Sequence, residues 1–287
     1  MQQAVVPTVA ALSRAFLRVG CRRVRVEGTE AFTELLCSPE RMQEGRGIVT
    51  CIMDEPVMWG CLPRHTFRDE RTVRWSLGAS EIIFKNDICR WFFRHGQTLE
   101  VFRGNGIYQK AIEDALAILA EGRWVHIFPE GRVNVSTSTY LPRFKWGVSR
   151  LVLEGPKLPY VVPIWLSGFD QIMPQPRAPP TWMPRLGADI TITFGAPIEV
   201  DPYAEAYAAW QADPAANLTM PPVDAPRGHL YTNAPLRPGD HPTYAALRSR
   251  LAAHLRASLA QLGSKMREYY GYGPGEGTLV HGASTPP

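Results

Sequence analysis

The chain has 287 residues, 45% hydrophobic and 20% charged, enough to bury a core in one large domain or two small ones. Its 31 basic and 27 acidic residues leave a formal charge of only +4, which excludes a strong nucleic-acid footprint. Cys21, Cys37, Cys51, Cys61 and Cys89 show neither CxxC nor zinc spacing and read as reduced thiols, and no uninterrupted apolar run of about 18 residues signals a membrane-spanning helix.

Residues 1–26 carry Arg14, Arg18, Arg22, Arg23 and Arg25, with no acid before Glu27. Val9, Leu12, Phe16, Leu17 and Val19 give a partly amphipathic stripe. Three readings stay open: a helix in a membrane interface, a mitochondrial presequence, or a basic surface helix. Val24–Val26 then reads as a short strand, Thr29–Cys37 as a helix capped by Thr29, and Gly47–Met53 as a strand ending before Pro56. Val57–Leu62 starts a helix, and Glu81–Gly96 is helical in pattern. The Ile82, Phe84, Ile88, Trp91, Phe92 and Phe93 side of that second helix fits either core packing or a membrane-facing edge.

Leu99–Phe102 is a strand, Arg103–Gly106 a turn, and Tyr108–Glu121 an amphipathic helix stopped by Gly122. Trp124–Phe128 is a buried strand that runs into Pro129-Glu130-Gly131-Arg132. Pro129 has no ladder donor and Gly131 permits a sharp turn, so Glu130 and Arg132 stand at the carboxyl end of a strand, where open α/β sheets keep their ligand sites. A solvated ion pair at a strand exit is the plainer reading. Phe144–Glu154 is a helix, and Val161–Leu166 and Ile190–Phe194 are strands. The alternation predicts an α/β fold with a mixed, mainly parallel sheet flanked by helices. Asp201–Pro242 is rich in Pro, Ala and Asp, with a helix near Tyr203–Gln211. Tyr244–Tyr270 is a long helix whose leucine stripe packs on the domain. The expected division is a basic amphipathic segment 1–26, an α/β domain 27–200, an insertion or linker 201–243, a packed helix 244–270 and a disordered tail 271–287.

The words Gly106-Ile-Tyr-Gln-Lys110, Gly122–Asn134 around Phe128-Pro129-Glu130-Gly131, and Arg143-Phe-Lys-Trp-Gly147 together resemble the tafazzin family of the glycerolipid acyltransferases, and the likeness runs from about Val9 to Pro197. The resemblance implies acyl exchange between a phospholipid and a lysophospholipid, serving cardiolipin remodelling at a mitochondrial membrane. The inner membrane, or the outer membrane facing the intermembrane space, would hold it peripherally, and the N-terminal segment would be an interfacial anchor that stays on the protein. Coenzyme A and metal ions would not be required, and nucleic acid is not a partner. An acyl-CoA-dependent lysophospholipid acyltransferase and a catalytically inactive lipid-binding protein are the alternatives.

The family's reaction uses a histidine as general base and an aspartate that orients it. Asp54 matches the aspartate of the first motif, but no Asn-His dipeptide occurs in the chain, and Val49 stands five positions before Asp54. The flanks Ile48–Thr50 and Cys51–Asp54 fit the family with a short segment removed between them. Either the sequence is misjoined between Thr50 and Cys51, or the base has been lost. A loss there should disturb the pairing register of a core strand. His65, His95 and His126 are poor substitutes, and His126 reads as a packed, hydrogen-bonded strand residue. Gly96 and Arg103 match the second motif, where a guanidinium suits a phosphodiester. Phe128, Pro129, Glu130, Gly131 and Arg132 match the third, with Glu130 toward the glycerol or headgroup, and Pro163 matches the fourth as a shaper of the pocket wall. Asn134, Arg143 and Lys145 add hydrogen bonding and positive charge nearby, attractive to an anionic lipid such as cardiolipin.

Overall fold

The computed structural model describes residues 2–51, 57–131, 141–174, 183–215, 218–223 and 240–269. Asp54, Arg132, Asn134, the tail 271–287 and much of 201–243 lie outside them.

The strands are β1 (Cys21–Glu27), β2 (Ile48–Cys51), β3 (Arg74–Ala79), β4 (Thr98–Val101), β5 (Trp124–Ile127), β6 (Tyr160–Ser167) and β7 (Ala188–Phe194). They form one sheet in the order β1-β7-β6-β2-β5-β3-β4. Every pairing is parallel except the antiparallel β6–β7 pair, so the sheet is mixed and mainly parallel. The helices are α1 (Gln2–Val19), α2 (Thr29–Cys37), α3 (Pro39–Glu44), α4 (Ser80–Ile83), α5 (Asp87–His95), α6 (Lys110–Ala120), α7 (Gly147–Leu153), α8 (Phe169–Ile172), α9 (Asp201–Ala212) and α10 (Pro242–Tyr269).

Strand alternation sorts the core into two layers. Leu77, Val125 and Ile127 face a cluster built by α6, α7, α9 and α10. Ile48, Trp124 and Phe128 face the opposite cluster, built by α1, α2, α8 and the Met58–Leu62 turn. Central strands buried on both faces explain why β2, β5 and β6 read as nearly continuous apolar runs.

The structure departs from the sequence reading in five places. Gly28 at φ 70° caps α2 and no side chain does, so Thr29 is already inside the helix. The stretch 81–96 is two helices, because Asn86 accepts from the Cys89 amide at 2.8 Å and starts α5 afresh. Residues 57–61 form a 3-10 turn where a longer helix was expected. Strand β3 was not foreseen. Finally, α1 packs on the protein: Ala10, Ser13 and Leu17 are buried, and Arg14 donates to the carbonyls of Gly60 and Leu62. Arg22 pairs with Asp189 at the surface, its side chain 73% exposed.

Helix α10 packs on β6, α7 and α9 through Leu247, Leu251, Leu255 and Leu259, all buried. Full burial of such side chains is worth about 1.5–3 kcal/mol each. The helix is also held by a charged clamp. Arg248 donates to Asp240 at 2.7 Å and to the Tyr108 hydroxyl at 2.8 Å, with the Arg248 and Asp240 side chains 0% and 4% exposed. Removing one partner of a buried pair strands the other charge, so Asp240→Ala should cost about 3–5 kcal/mol. Urea unfolding checks this, and a loss under about 1 kcal/mol would mean the pair behaves like an exposed one.

Candidate functional site

Pairing between β3 and β5 is short. It joins Arg74–Ser76 to Trp124–His126 and then ends, whereas β3 continues beside β4 to Ala79 and Val101. Beyond His126 the chain leaves the ladder. Pro129 cannot donate, Gly131 turns at φ 68°, the Phe128 carbonyl accepts from the Gly131 amide, and the Pro129 carbonyl accepts from the Lys145 amide at 2.7 Å. On the other side Gly78 lets Ile83 lie against β3, since a Cβ there would meet the Ile83 Cδ1 at 2.2 Å. A cavity of about 990 Å³ occupies the resulting fork.

Its walls are mostly apolar and come from both faces of the sheet. Leu77, Ile112, Ile127 and Gly147 lie on the α6–α7 side, and Trp59, Ser76, Trp124 and Phe128 on the α1 side. Val5, Val6, Val9 and Ala10 of α1 close it from above. Arg103 and Lys145 supply cationic groups to its lining. Arg103 sits in the turn after β4, 41% exposed and 3.1 Å from Glu81, a surface pairing that a phosphate could displace. The lip is apolar: Ile82, Phe92 and Phe102 line the cavity while 40%, 39% and 50% exposed. Ile88 and Trp91 extend the exposed face of α5, so the aromatic side of that helix is not core.

The fork gathers Gly96, Arg103, Phe128, Pro129 and Gly131 around one space. Glu130 and Pro163 are not among its lining residues. Glu130 is 3% exposed, with both carboxylate oxygens closed off from solvent behind the turn. Pro163 sits within β6 opposite Cys51 of β2, its carbonyl accepting from the Gly195 amide at 2.8 Å. The residues that sequence reasoning missed are those of β3 and of the first turns of α1. The run Trp75-Ser-Leu-Gly-Ala79 carries a weak alternation that marks β3 in hindsight, but nothing local in α1 tells which surface it covers.

Strand β2 keeps an unbroken register with β5 and β6 from Ile48 to Cys51, and residues 52–56, past the Thr50–Cys51 junction, lie outside the described residues. Thr50 accepts from the Trp124 indole at 2.9 Å and lies 2.7 Å from Nδ1 of His126. The indole can only donate, so Trp124 is the donor to the Thr50 oxygen. Trp59 and Phe128 meet the imidazole edge-on. His126 is fully buried and absent from the cavity lining, as a packed residue should be. His65 is exposed on the 64–67 turn, and His95 bonds the Trp91 carbonyl. Among the described residues no histidine lines the fork, and no three His, Cys, Asp or Glu side chains converge as a metal site. Burial pushes the Cys51 thiol up to about 12, which rules it out as a thiolate nucleophile near neutral pH.

Burial, with the Arg74 guanidinium behind it, holds the His126 imidazole well below its ordinary 6.5. On acidification the unfolded chain therefore takes up this proton first. The stability that neutral His126 contributes is complete above about pH 6.5 and is lost as pH falls toward the folded-state value, by up to about 1.4 kcal/mol per pH unit. His126→Gln should flatten that part of the profile relative to the parent. Urea midpoints measured from about pH 7 to pH 5 would test this, and parallel curves would rule it out.

The acyltransferase family model matches residues 23–167. Tafazzin from Drosophila melanogaster is 32% identical over 208 residues, covering 71% of this chain and 53% of that protein. Tafazzin from Saccharomyces cerevisiae is 30% identical over 291 residues, 86% of this chain and 74% of that protein. An N-acylphosphatidylethanolamine synthase from Arabidopsis thaliana is 32% identical over 206 residues, 69% of this chain and 70% of that protein. The chain thus spans about half the length of the fly protein.

Proposed function

The chain belongs to the acyltransferase family and to its tafazzin group, and on that premise we propose that it exchanges acyl chains between a phospholipid and a lysophospholipid, in the remodelling of cardiolipin at a mitochondrial membrane. The observation that carries this reading is the fork: an apolar cavity, cationic at Arg103 and Lys145 and rimmed by exposed Ile82, Phe92 and Phe102. Such a site offers acyl chains an apolar space, offers a phosphate paired donors, and can face a bilayer. Among the described residues no helix is long and apolar enough to cross a membrane, and a peripheral placement on the inner membrane, or on the outer membrane facing the intermembrane space, suits the apolar rim.

In this reading the family's histidine, which this sequence lacks between Thr50 and Asp54, would take the proton from the lysophospholipid hydroxyl as that oxygen attacks the donor's acyl ester and return it to the departing glycerol oxygen, with Asp54 orienting the ring. Arg103 holds the phosphate. Glu130 is buried within the Phe128–Gly131 turn and does not line the cavity. Coenzyme A takes no part. The Arabidopsis relative, by its name, acylates an amine, which makes the amine of phosphatidylethanolamine a second acceptor to assay.

The test compares the chain as it stands with a version carrying the family's Asn-His segment between Thr50 and Cys51. Supplying the general base should raise transfer from labelled phospholipid to lysophospholipid by about 10²–10⁴-fold without acyl-CoA. In that version Arg103→Ala should lower kcat/KM about tenfold to a hundredfold, and Glu130→Gln should remove most of the transfer. Transfer that depends on added acyl-CoA would replace this reading with the CoA-dependent one. Vesicle binding without transfer in the completed version would replace it with a lipid-binding role.

A further inference from the structure

We propose that the fork between β3 and β5 is a two-chain site: a diacyl phospholipid sits astride it, with one acyl chain on each face of the sheet. The proposal rests on the lipid-acyl reading above and adds to it the geometry of the bound donor.

An ordinary apolar pocket lies on one face of a sheet, because a continuous ladder separates the two sides. Here the ladder stops at Ser76 and His126, and the cavity is lined by the next residues of both strands: Leu77, Gly78 and Ala79 from β3, and Ile127, Phe128 and Pro129 from β5. The space therefore passes through the sheet. On the α1 side it is lined by Val5, Val6 and Val9 and by Trp59, with the Arg74 guanidinium 4.5 Å from the centre of the Trp59 ring. On the other side it runs to Ile112 and Gly147. Its volume of about 990 Å³ stands at the top of the range of about 300–1,000 Å³ that single small ligands fill.

The chemistry that matches a branched apolar space with cations along it is a glycerol phosphate diester of two chains. Arg103 and Lys145 take the phosphate, the Phe128–Gly131 turn takes the glycerol, and the chains part on either side of the strand ends. A lysophospholipid, with one chain, fills one arm only. Gly147 matters to the second arm. A Cβ at that position would stand 3.7 and 3.9 Å from the Cδ1 atoms of Ile112 and Ile127, so alanine would fit and a larger side chain would occupy the arm.

The experiment uses the full chain and phosphatidylcholine vesicles containing a phosphatidylcholine with a photoactivatable diazirine at the end of each acyl chain. After irradiation, mass spectrometry maps which peptides one lipid joins. The expected product links a peptide from 5–10 or 59–76 to one from 107–112 or 146–147, and unlabelled lipid competes it away. Gly147→Leu should lose attachment on the α6–α7 side and keep it on the α1 side. Val6→Trp should do the reverse, with both variants melting like the parent. Links confined to one face overturn the two-chain site and leave the acyl reading standing, as does a folded variant that loses both attachments together. No competable link at any cavity residue overturns both.

Discussion

The early end of the β3–β5 ladder is the feature on which the rest of the site depends. An opened sheet exposes backbone groups that must find other partners. On the β5 side the Phe128 and Pro129 carbonyls are taken by the Gly131 and Lys145 amides. Pro129 has no amide hydrogen to strand. Strand β3 is kept extended past the fork by β4, with Gly78 admitting Ile83 against it. Each of these is a local choice of residue, and together they turn an interior seam of the sheet into a cavity.

Immediately below the fork, Thr50, Trp124 and His126 tie β2 to β5 on the α1 side. This cluster and the flanking ladders to β5 and β6 hold β2 in place without any Asn-His pair after Thr50. Among the described residues, the strand up to Cys51 is thus paired and packed by side chains other than those of the proposed chemistry, whose base would stand beyond Thr50.

Much of this was legible in the sequence. Strands β5, β6 and β7 announced themselves by β-branched and aromatic runs, α6 by its Ile112, Ala115 and Leu119 face, and the site by the Phe128–Gly131 turn with Gly96 and Arg103. What was not legible is tertiary in origin. Strand β3 breaks its apolar pattern at Arg74, Ser76 and Gly78, and Ser76 faces Thr98 across the ladder at 3.4 Å, so its pattern resembles a loop. The 81–96 stretch keeps a helical period through Asn86, and only the cap bond shows the break. Glu130 looks like a ligand group by position, yet the turn carries its carboxylate inward.

Helix α1 is the plainest instance of one pattern serving two surfaces. An amphipathic basic helix at an N-terminus reads equally well as anchor or presequence, and its exposed Leu12 and Val19 leave it an apolar outer edge. Its other side is committed to the protein. Gly60 admits it so closely that a Cβ would stand 2.5 Å from the Arg14 amide nitrogen, and the Arg14 guanidinium then bonds the Gly60 and Leu62 carbonyls. The 57–61 turn that receives α1 also supplies Trp59 to the cavity lining, beside Val5, Val6, Val9 and Ala10 of α1 itself, so the seat of the helix and the wall of the cavity are built from the same contact.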